Sequence, residues 1–348
     1  MRLYAALSLL LAATSSPCVS AYSKGAGKKW QGIDFRKFEK RQADAADSDL
    51  LLGDLLTVPT SEWTQTAWDV AGILLGNLEP TSAETYNPPR FDSLDCAWDR
   101  CCPWWYAAKD MHRLFHGASG RCTKYARFAV RLGFHDAGTW SKFTGTKGGA
   151  DGSILLSPDE LSRTENSGLS EIAVKMRAFY EQYRDYGLSM ADIIQVGASV
   201  AAVTCPLGPR GRTFVGRLDS NASAPHGLLP PEDGSAEFLV DLFRNKTISP
   251  HGLAALIGAH TTSQQRFVDP KRALDPQDST PGVWDVLFYK QVLGLAPVPK
   301  RIFFFRSDKN LAAMGETMNE MGQFAGDGGQ DHWNTVWALP SSALIPSC

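Results

Sequence analysis

Residues 131–136 read RLGFHD, and this stretch decides how the rest of the chain is interpreted. Arg131 and His135 are four residues apart, so on a helix both side chains lie on one face, one turn from each other. A cation and an imidazole then point into the same space. Such a pair can transfer a proton and stabilise developing negative charge.

A second histidine occupies a similar position in residues 250–266, PHGLAALIGAHTTSQQR. The apolar stripe that begins at Leu253 reaches His260 after seven residues, which places His260 on the buried face of a predicted helix. A core histidine that is hydrogen-bonded to the backbone is the alternative interpretation.

Oxygen-rich segments follow both histidines. Asp136 comes directly after His135 and is followed by GGADGS at 148–153, while Thr261 is followed by DPQDSTPGVWD at 275–285. Carboxylates, hydroxyls and carbonyls in tight loops suit a hard cation such as calcium, although ordinary turns have the same composition. Two helices with inward histidines, each beside a candidate cation loop, could enclose a flat cofactor. Haem is the natural occupant, with one imidazole on iron and a carboxylate on its other nitrogen.

The chain resembles the secreted fungal class II peroxidases of the plant-type haem peroxidase superfamily. The resemblance covers about residues 96–348 and rests on motifs in this order: RLGFHDAG (131–138), GGADGSILL (148–156), ADIIQVGASVA (191–201), LIGAHTT (256–262), DSTPGVWD (278–285) and FFFRSDKNLA (303–312). It implies a mainly α, two-lobed fold that holds one haem b between a distal and a proximal helix, with two calcium ions. It also implies reduction of hydrogen peroxide coupled to oxidation of small donors.

The resemblance also assigns roles on the distal side of the haem. His135 would be the acid/base, Arg131 the cation and Phe134 the apolar wall. Asn166 would fix the His135 tautomer, and Glu160 is a candidate for the glutamate that orients Asn166.

On the proximal side, His260 would ligate iron and Asp308 would be its carboxylate partner. The family's aromatic residue seventeen positions after the ligand corresponds here to Gln277, a departure that bears on haem potential or reflects a shifted loop. The calcium ligands implied by the resemblance are, on the distal side, Asp136, Gly149 (carbonyl), Asp151 and Ser153, and on the proximal side, Thr261, Asp278, Thr280, Val283 (carbonyl) and Asp285.

Positions that set specificity in the family differ here. Lys124, Phe128 and Arg266 stand where manganese-oxidising members have carboxylates, and these residue types cannot bind Mn²⁺. Ala255 stands where ligninases have a surface tryptophan. We therefore expect a generic peroxidase that oxidises small phenols or similar donors at the haem edge. The alternative is a catalytically silent, calcium-stabilised binding protein, although such a scaffold would not need Arg131 and His135.

Residues 1–21, MRLYAALSLLLAATSSPCVSA, predict a secretory signal peptide, and Lys40-Arg41 predicts the end of a propeptide over residues 22–41. Residues 42–95 are expected to form a loosely ordered extension before the peroxidase domain at 96–348.

Without residues 1–41 the chain has 27 basic and 35 acidic residues, a net charge of −8. This acidity argues against nucleic acid or an anionic membrane as a partner, and a secreted monomer is expected.

Six cysteines remain after the signal peptide, and an even number in an exported chain predicts three disulfides. Spacing alone leaves the pairing open among fifteen connectivities. The family resemblance favours the pairs Cys96–Cys102, Cys101–Cys348 and Cys122–Cys205. Asn221 and Asn245 lie in sequons for N-glycosylation.

The hydrophobic periodicity beyond Cys96 is helical, and strand-like alternation is scarce. The clearest predicted helices are 122–136, 170–186, 189–204, 235–244 and 250–266. Ser189 and Ser249 provide start signals for two of them.

Overall fold

The computed structural model describes residues 58–343, with side chains described to residue 339. Thirteen α-helices lie in this range: α1 Gln65–Leu74, α2 Leu94–Trp98, α3 Cys101–Phe115, α4 Lys124–Ala137, α5 Ser153–Leu156, α6 Ser170–Tyr183, α7 Met190–Thr204, α8 Ala236–Arg244, α9 Pro250–Ile257, α10 Leu287–Val292, α11 Arg306–Ala313, α12 Gly315–Ala325 and α13 Gly329–Ala343. Over the same residues the β-structure consists of isolated bridges only. The prediction of a mainly α fold is confirmed.

Three of the five predicted helices begin after a capping serine. The Ser189 hydroxyl accepts from the Asp192 backbone N–H at the start of α7, and Ser249 caps α9 in front of Pro250. Ser235 caps α8 in the same way. Each of these side chains satisfies a backbone N–H that the first helical turn leaves without an intrahelical partner.

The helix predicted over residues 250–266 is shorter than expected. Helix α9 ends at Ile257 and continues as a 3₁₀ helix, Gly258–Thr262. The Tyr289 hydroxyl donates to the Ala254 carbonyl at 2.7 Å, and the Trp333 indole donates to the Ala255 carbonyl at 2.8 Å. A Cβ on Gly258 would lie only 2.1 Å from the Tyr289 oxygen. The chain tightens here because two buried aromatic side chains bind the carbonyls and press against Gly258.

Helix α4 packs closely against α7. A Cβ at Gly133 would lie 2.6 Å from the Cβ of Ala198, so glycine permits this approach. The disulfide Cys122–Cys205 joins the start of α4 to the residue after α7. A large hydrophobic core continues from these helices to α9 and α12. The histidine-bearing segments are therefore held against a rigid interior.

Two of the three expected disulfides, Cys96–Cys102 and Cys122–Cys205, are confirmed. The third, Cys101–Cys348, includes a residue outside the described part of the chain. The predicted signal peptide and propeptide also lie outside it.

The expectation of loose order over residues 42–95 is wrong for the segment that forms α1. Thr64 caps this helix, and Val70 and Ile73 are buried against Phe214 and a face of α13. The segment is ordered because it covers apolar surface that would otherwise face water. Residues 42–57 lie outside the described residues.

Over the described range, no single helix has the length and apolar character needed to cross a membrane. The bent pair Ser170–Tyr186 and Met190–Thr204 meets that criterion by length and composition only.

Candidate active site

A cavity of about 780 Å³ separates α4 from the segment that follows α9. His135 and Arg131 line it on one side and His260 on the other, and Phe134 adds an apolar wall. Cavities of this size accommodate a cofactor or a substantial small molecule. The structure thus brings the predicted distal and proximal residues to a common space.

His135 is held between two hydrogen-bond partners. Its Nδ1 lies 2.8 Å from Asn166 Oδ1, and Arg131 Nε lies 3.2 Å from its Nε2. Because the amide oxygen only accepts and the guanidinium only donates, the proton belongs on Nδ1 and the lone pair on Nε2. Burial, followed by the charge of Arg131, lowers the pKa of His135 to about 3, against a raising effect of Asn166. The imidazole is therefore a neutral base with its free nitrogen beside the cation.

Arg131 is anchored by two backbone carbonyls. Its Nη1 donates to the Ser167 carbonyl at 2.7 Å, and its Nη2 donates to the Glu165 carbonyl at 2.9 Å. Burial lowers the pKa of Arg131 to about 10, so the guanidinium stays protonated near neutral pH. The loop that carries Asn166 thereby positions both the base and the cation.

Glu160 contacts Asn166 through its backbone. The Asn166 amide donates to the Glu160 carbonyl at 2.7 Å. The Glu160 side chain points elsewhere: its Oε1 accepts from the Ala224 N–H at 2.8 Å and from the Ser157 hydroxyl at 3.2 Å. The contact between Glu160 and Asn166 is therefore made by the Glu160 main chain, whereas the sequence-based expectation concerned its carboxylate.

His260 belongs to a buried polar network. Its Nδ1 lies 2.9 Å from Asp308 Oδ1. Asp308, which is fully buried, also accepts at Oδ2 from the Gln277 amide at 2.8 Å and from the Phe305 backbone N–H at 2.8 Å. The rings of Phe288 and Phe305 stand perpendicular to the imidazole, with ring centres 5.7 and 5.6 Å from its centre. His260 is thus fixed in rotation, and its nitrogen Nε2 is left for a ligand in the cavity.

Gln277 is the functional residue whose contact the sequence did not reveal. The sequence indicates only a departure from the family's aromatic residue, yet Gln277 is buried and contacts both His260 and Asp308. A polar residue at an expected apolar position was the available signal. Its meaning depended on the positions of two residues distant in the chain.

The distal cation loop contains an unsatisfied carboxylate. Asp136 is fully buried, and its Oδ1 has no hydrogen-bond partner among the described residues. Asp151 and Ser153 lie in the same loop, where Asp151 Oδ1 accepts from the Ser153 N–H at 3.0 Å and the Gly149 carbonyl accepts from the Asp151 N–H at 2.8 Å. Burial and the charges of Asp151 and Glu160 raise the pKa of Asp136 well above its usual value. A bound cation would offset this cost.

Of the five residues predicted for the proximal cation site, Asp278, Val283 and Asp285 surround the Thr261 hydroxyl. That hydroxyl donates to Asp278 and lies 3.4 Å from Asp285 Oδ1 and 3.5 Å from the Val283 carbonyl. The Thr280 hydroxyl donates to Asp285 Oδ2 at 2.9 Å. Burial raises the pKa of Asp278 to about 7. The oxygens are present, and a cation among them would offset the cost of burying the Asp278 carboxylate.

Both sets of oxygens suit a hard cation rather than a transition metal. In the part of the chain with described side chains, no group of three or more His, Cys, Asp and Glu residues has metal-binding geometry. A cation in either loop would therefore need hydroxyl and carbonyl oxygens beside two carboxylates, which is the donor set that calcium accepts.

The cavity also suits haem. It offers a histidine with a free Nε2 on the proximal side, a base and a cation on the distal side, and apolar walls that include Phe134, Phe243 and Leu253. A planar group with a ligand-accepting metal fits these walls.

Comparisons with known proteins agree with this geometry. Residues 107–327 match the family described as Peroxidase. The chain is 34% identical over 199 residues to ligninase C of Trametes versicolor, an overlap of 54% of this chain and 52% of the relative. It is 31% identical over 202 residues to a peroxidase of Arthromyces ramosus, covering 56% of this chain and 54% of the relative. It is 32% identical over 197 residues to manganese peroxidase H4 of Phanerodontia chrysosporium, covering 56% and 50%. The chain spans about half the length of the curated relatives it matches.

Proposed function

Because this chain belongs to the class II fungal haem peroxidase family, we propose that it binds one haem b and uses hydrogen peroxide to oxidise small donors. Each turnover would convert one peroxide to two waters, with two electrons and two protons taken from two donor molecules. The substrate class is small phenols or similar compounds that reach the haem edge.

The observation that carries this proposal is the hydrogen bonding of the His135 imidazole, which fixes its tautomer. Its Nδ1 proton is held by Asn166, and its Nε2 accepts from Arg131 beside the cavity. A neutral imidazole of this tautomer can take a proton from one peroxide oxygen and return it to the other as the O–O bond breaks. Arg131 stabilises the negative charge that develops on the departing oxygen. Bound haem would supply the iron and the redox chemistry.

His260 would be the iron ligand in this proposal. The hydrogen bond to buried Asp308 fixes its Nδ1–H tautomer and makes it a more basic ligand. Phe134 would form the apolar wall beside the peroxide position, which limits access of water to the base.

Two calcium ions are proposed in the loops described above. They would neutralise Asp136 and Asp278, each of which is completely buried. Because these loops contain the residues that follow His135 and His260, the cations would also hold both imidazoles in position.

We further propose that Mn²⁺ is not a substrate. Lys124 and Arg266 both pair with Glu171, and the Arg266 guanidinium lies 5.3 Å from the Phe128 ring centre. This arrangement supplies cations and an aromatic face instead of carboxylate oxygens. Ala255 is buried, so a surface aromatic relay is not proposed there.

The protein is proposed to be secreted and monomeric, without nucleic acid or membrane partners. Disulfides of the kind found here persist mainly in oxidising compartments. A catalytically silent, calcium-stabilised binding protein is the alternative function, and the hydrogen-bonded Arg131 and His135 pair counts against it.

The test is the absorption spectrum of the haem-loaded protein before and after one equivalent of hydrogen peroxide. We expect a Soret band that changes within the mixing time and returns when a phenol is added.

His135→Leu should keep the Soret band but slow the reaction with peroxide by several orders of magnitude. His116→Leu, which removes an exposed histidine that does not line the cavity, is the matched control and should react at the wild-type rate. A fast reaction in His135→Leu, or a wild type indifferent to peroxide, would contradict the proposal.

A further inference from the structure

The cavity wall carries an excess of positive charge. Among the described residues that line it, five are arginines and two are glutamates: Arg127, Arg131, Arg212, Arg217, Arg266, Glu165 and Glu232. Three of the arginines have clear roles in the fold. Arg131 binds loop carbonyls, Arg212 binds the Glu79 carbonyl and Arg217 pairs with buried Asp192. Arg127 and Arg266 are not accounted for in this way.

Arg127 and Arg266 approach each other from opposite walls. Arg127 lies one turn before Arg131 on α4, and Arg266 lies six residues after His260. The Arg127 side chain donates to the amide oxygen of Gln264 at 2.6 Å, a contact that joins the two walls. The Arg266 side chain is 31% exposed. The pair therefore lies where the cavity reaches solvent.

The neighbourhood contains too little negative charge for its cations. Glu171 is shared, since its carboxylate lies 2.5 Å from the Lys124 ammonium and 3.4 Å from the Arg266 guanidinium. Arg127 is bound to a neutral amide. Burial and the charge of Arg266 lower the pKa of Arg127, so both desolvation and repulsion favour an added anion. A planar guanidinium is suited to binding a carboxylate through two parallel hydrogen bonds.

We propose that Arg127 and Arg266 form a carboxylate-binding subsite at the mouth of the cavity. This inference rests on the proposed function, which it deepens. The carboxylate could come from a haem propionate or from a small aromatic acid that serves as the electron donor.

Two measurements distinguish the two sources. The first compares the dissociation rates of haem and of haem dimethyl ester, which lacks propionate charge, from the ferric protein. The second titrates the haem-loaded protein with 4-hydroxycinnamate and with the neutral 4-hydroxycinnamyl alcohol, following the Soret difference spectrum at low and high salt. Both are made on wild type, on Arg127→Gln with Arg266→Gln, and on the control Arg113→Gln, which alters an exposed arginine paired with Asp110.

If a propionate is bound, wild type should retain haem at least tenfold longer than its ester, and the double variant should lose this preference. If the donor is bound, wild type should bind the acid at least tenfold more tightly than the alcohol, less so at high salt, and the double variant should not discriminate. Arg113→Gln should behave as wild type in both. A wild type that takes up haem and reacts with peroxide but shows neither preference overturns the subsite and leaves the proposed function intact. Preferences that persist in the double variant also overturn it.

A second inference rests on the separate contacts of Gln277. A carboxylate only accepts hydrogen bonds, so the Gln277 atom 2.8 Å from Asp308 Oδ2 must be the amide nitrogen. The Ser263 hydroxyl contacts the other end of the amide. Asp308 thus shares its charge among His260, Gln277 and the Phe305 N–H.

The geometry points to Gln277 as a positioning residue that limits how strongly Asp308 pulls the Nδ1 proton of His260. With Gln277 donating to the carboxylate, Asp308 is a weaker acceptor and His260 a less basic ligand. A less basic axial ligand favours the ferrous state, so Gln277 would raise the ferric/ferrous potential of bound haem.

The test uses Gln277→Leu, which removes the donor at similar size, and Ser263→Ala, which keeps the donor but removes its support. In Gln277→Leu we expect a higher iron–histidine stretching frequency in the ferrous resonance Raman spectrum and a lower midpoint potential. Ser263→Ala should shift both in the same direction by less, and Gln277→Asn should partly restore the wild-type values.

A double-mutant cycle with Asp308→Asn tests whether Gln277 acts through Asp308. With the carboxylate removed, Gln277→Leu should change neither the frequency nor the potential further. A folded Gln277→Leu protein with wild-type frequency and potential would reduce Gln277 to a packing role and overturn the inference. Equal shifts in the Asp308→Asn background would overturn the route through Asp308.

Discussion

The buried carboxylate of Asp278 gives a quantitative prediction about calcium and pH. Burial raises the pKa of Asp278 from 3.8 to about 7 in the metal-free fold, which corresponds to ~4 kcal/mol at 1.36 kcal/mol per unit. The folded protein binds this proton more tightly than the unfolded chain does. Metal-free stability should therefore fall as the pH rises from about 4 to about 7, and the full loss should be present above pH 7.

Asp278→Asn removes the ionisation while keeping the size of the side chain. Without calcium, the variant should gain stability relative to wild type as the pH rises from 4 to 8, by up to ~4 kcal/mol. Calcium should remove most of this difference at pH 8, because it binds the wild-type carboxylate; a thousandfold excess over the dissociation constant contributes ~4 kcal/mol.

Urea denaturation at several pH values, with EGTA or with calcium, measures both differences. Asp327→Asn removes a carboxylate from an exposed position and should follow wild type throughout. The reasoning fails if the stability difference between Asp278→Asn and wild type does not grow with pH in EGTA. It also fails if calcium stabilises the variant as strongly as it stabilises wild type.

Two further predictions concern the distal histidine and the Cys122–Cys205 disulfide. Because burial lowers the pKa of His135 to about 3, the imidazole stays neutral over most of the acidic range. The rate of reaction with peroxide should therefore be constant from pH 7 to about pH 4 and fall only at lower pH. Stopped-flow mixing in overlapping buffers measures this rate, and a midpoint near pH 6 would contradict the assigned environment of His135. Replacing Cys122 and Cys205 by serine opens a loop whose ends are 83 residues apart. The replacement should lower the free energy of unfolding by ~4–5 kcal/mol according to the chain-entropy relation. A denaturation midpoint unchanged from wild type would show that the disulfide does not constrain the unfolded chain.

The sequence predicted the parts of the site that depend on local spacing. Arg131 and His135 share a face because they are one helical turn apart, and Asp136 and Thr261 lie beside the histidines because they directly follow them in the sequence. Contacts between segments distant in the chain were harder to predict from the sequence. The amide of Gln277 reaches Asp308, 31 residues away, and nothing in its own neighbourhood indicates that partner.

Irregular backbone was also difficult to predict. The apolar stripe around His260 continues past the point where α9 ends, and the helix stops because Tyr289 and Trp333 bind its last carbonyls. Periodicity contains no information about these two distant side chains. The same reason explains α1, whose burial depends on Phe214 and on α13.

The buried oxygen ligands are placed so that a bound cation would restrain both histidines. Asp136 and Thr261 each adjoin a histidine in sequence, and both are completely buried. A cation that satisfies Asp136 or Asp278 would therefore restrain the backbone one residue from an imidazole. Part of the free energy gained by neutralising a buried carboxylate would then order the segment that positions the base or the ligand. Loss of either cation should then disturb imidazole geometry before it unfolds the core, because the helices are packed independently around Gly133 and Gly258.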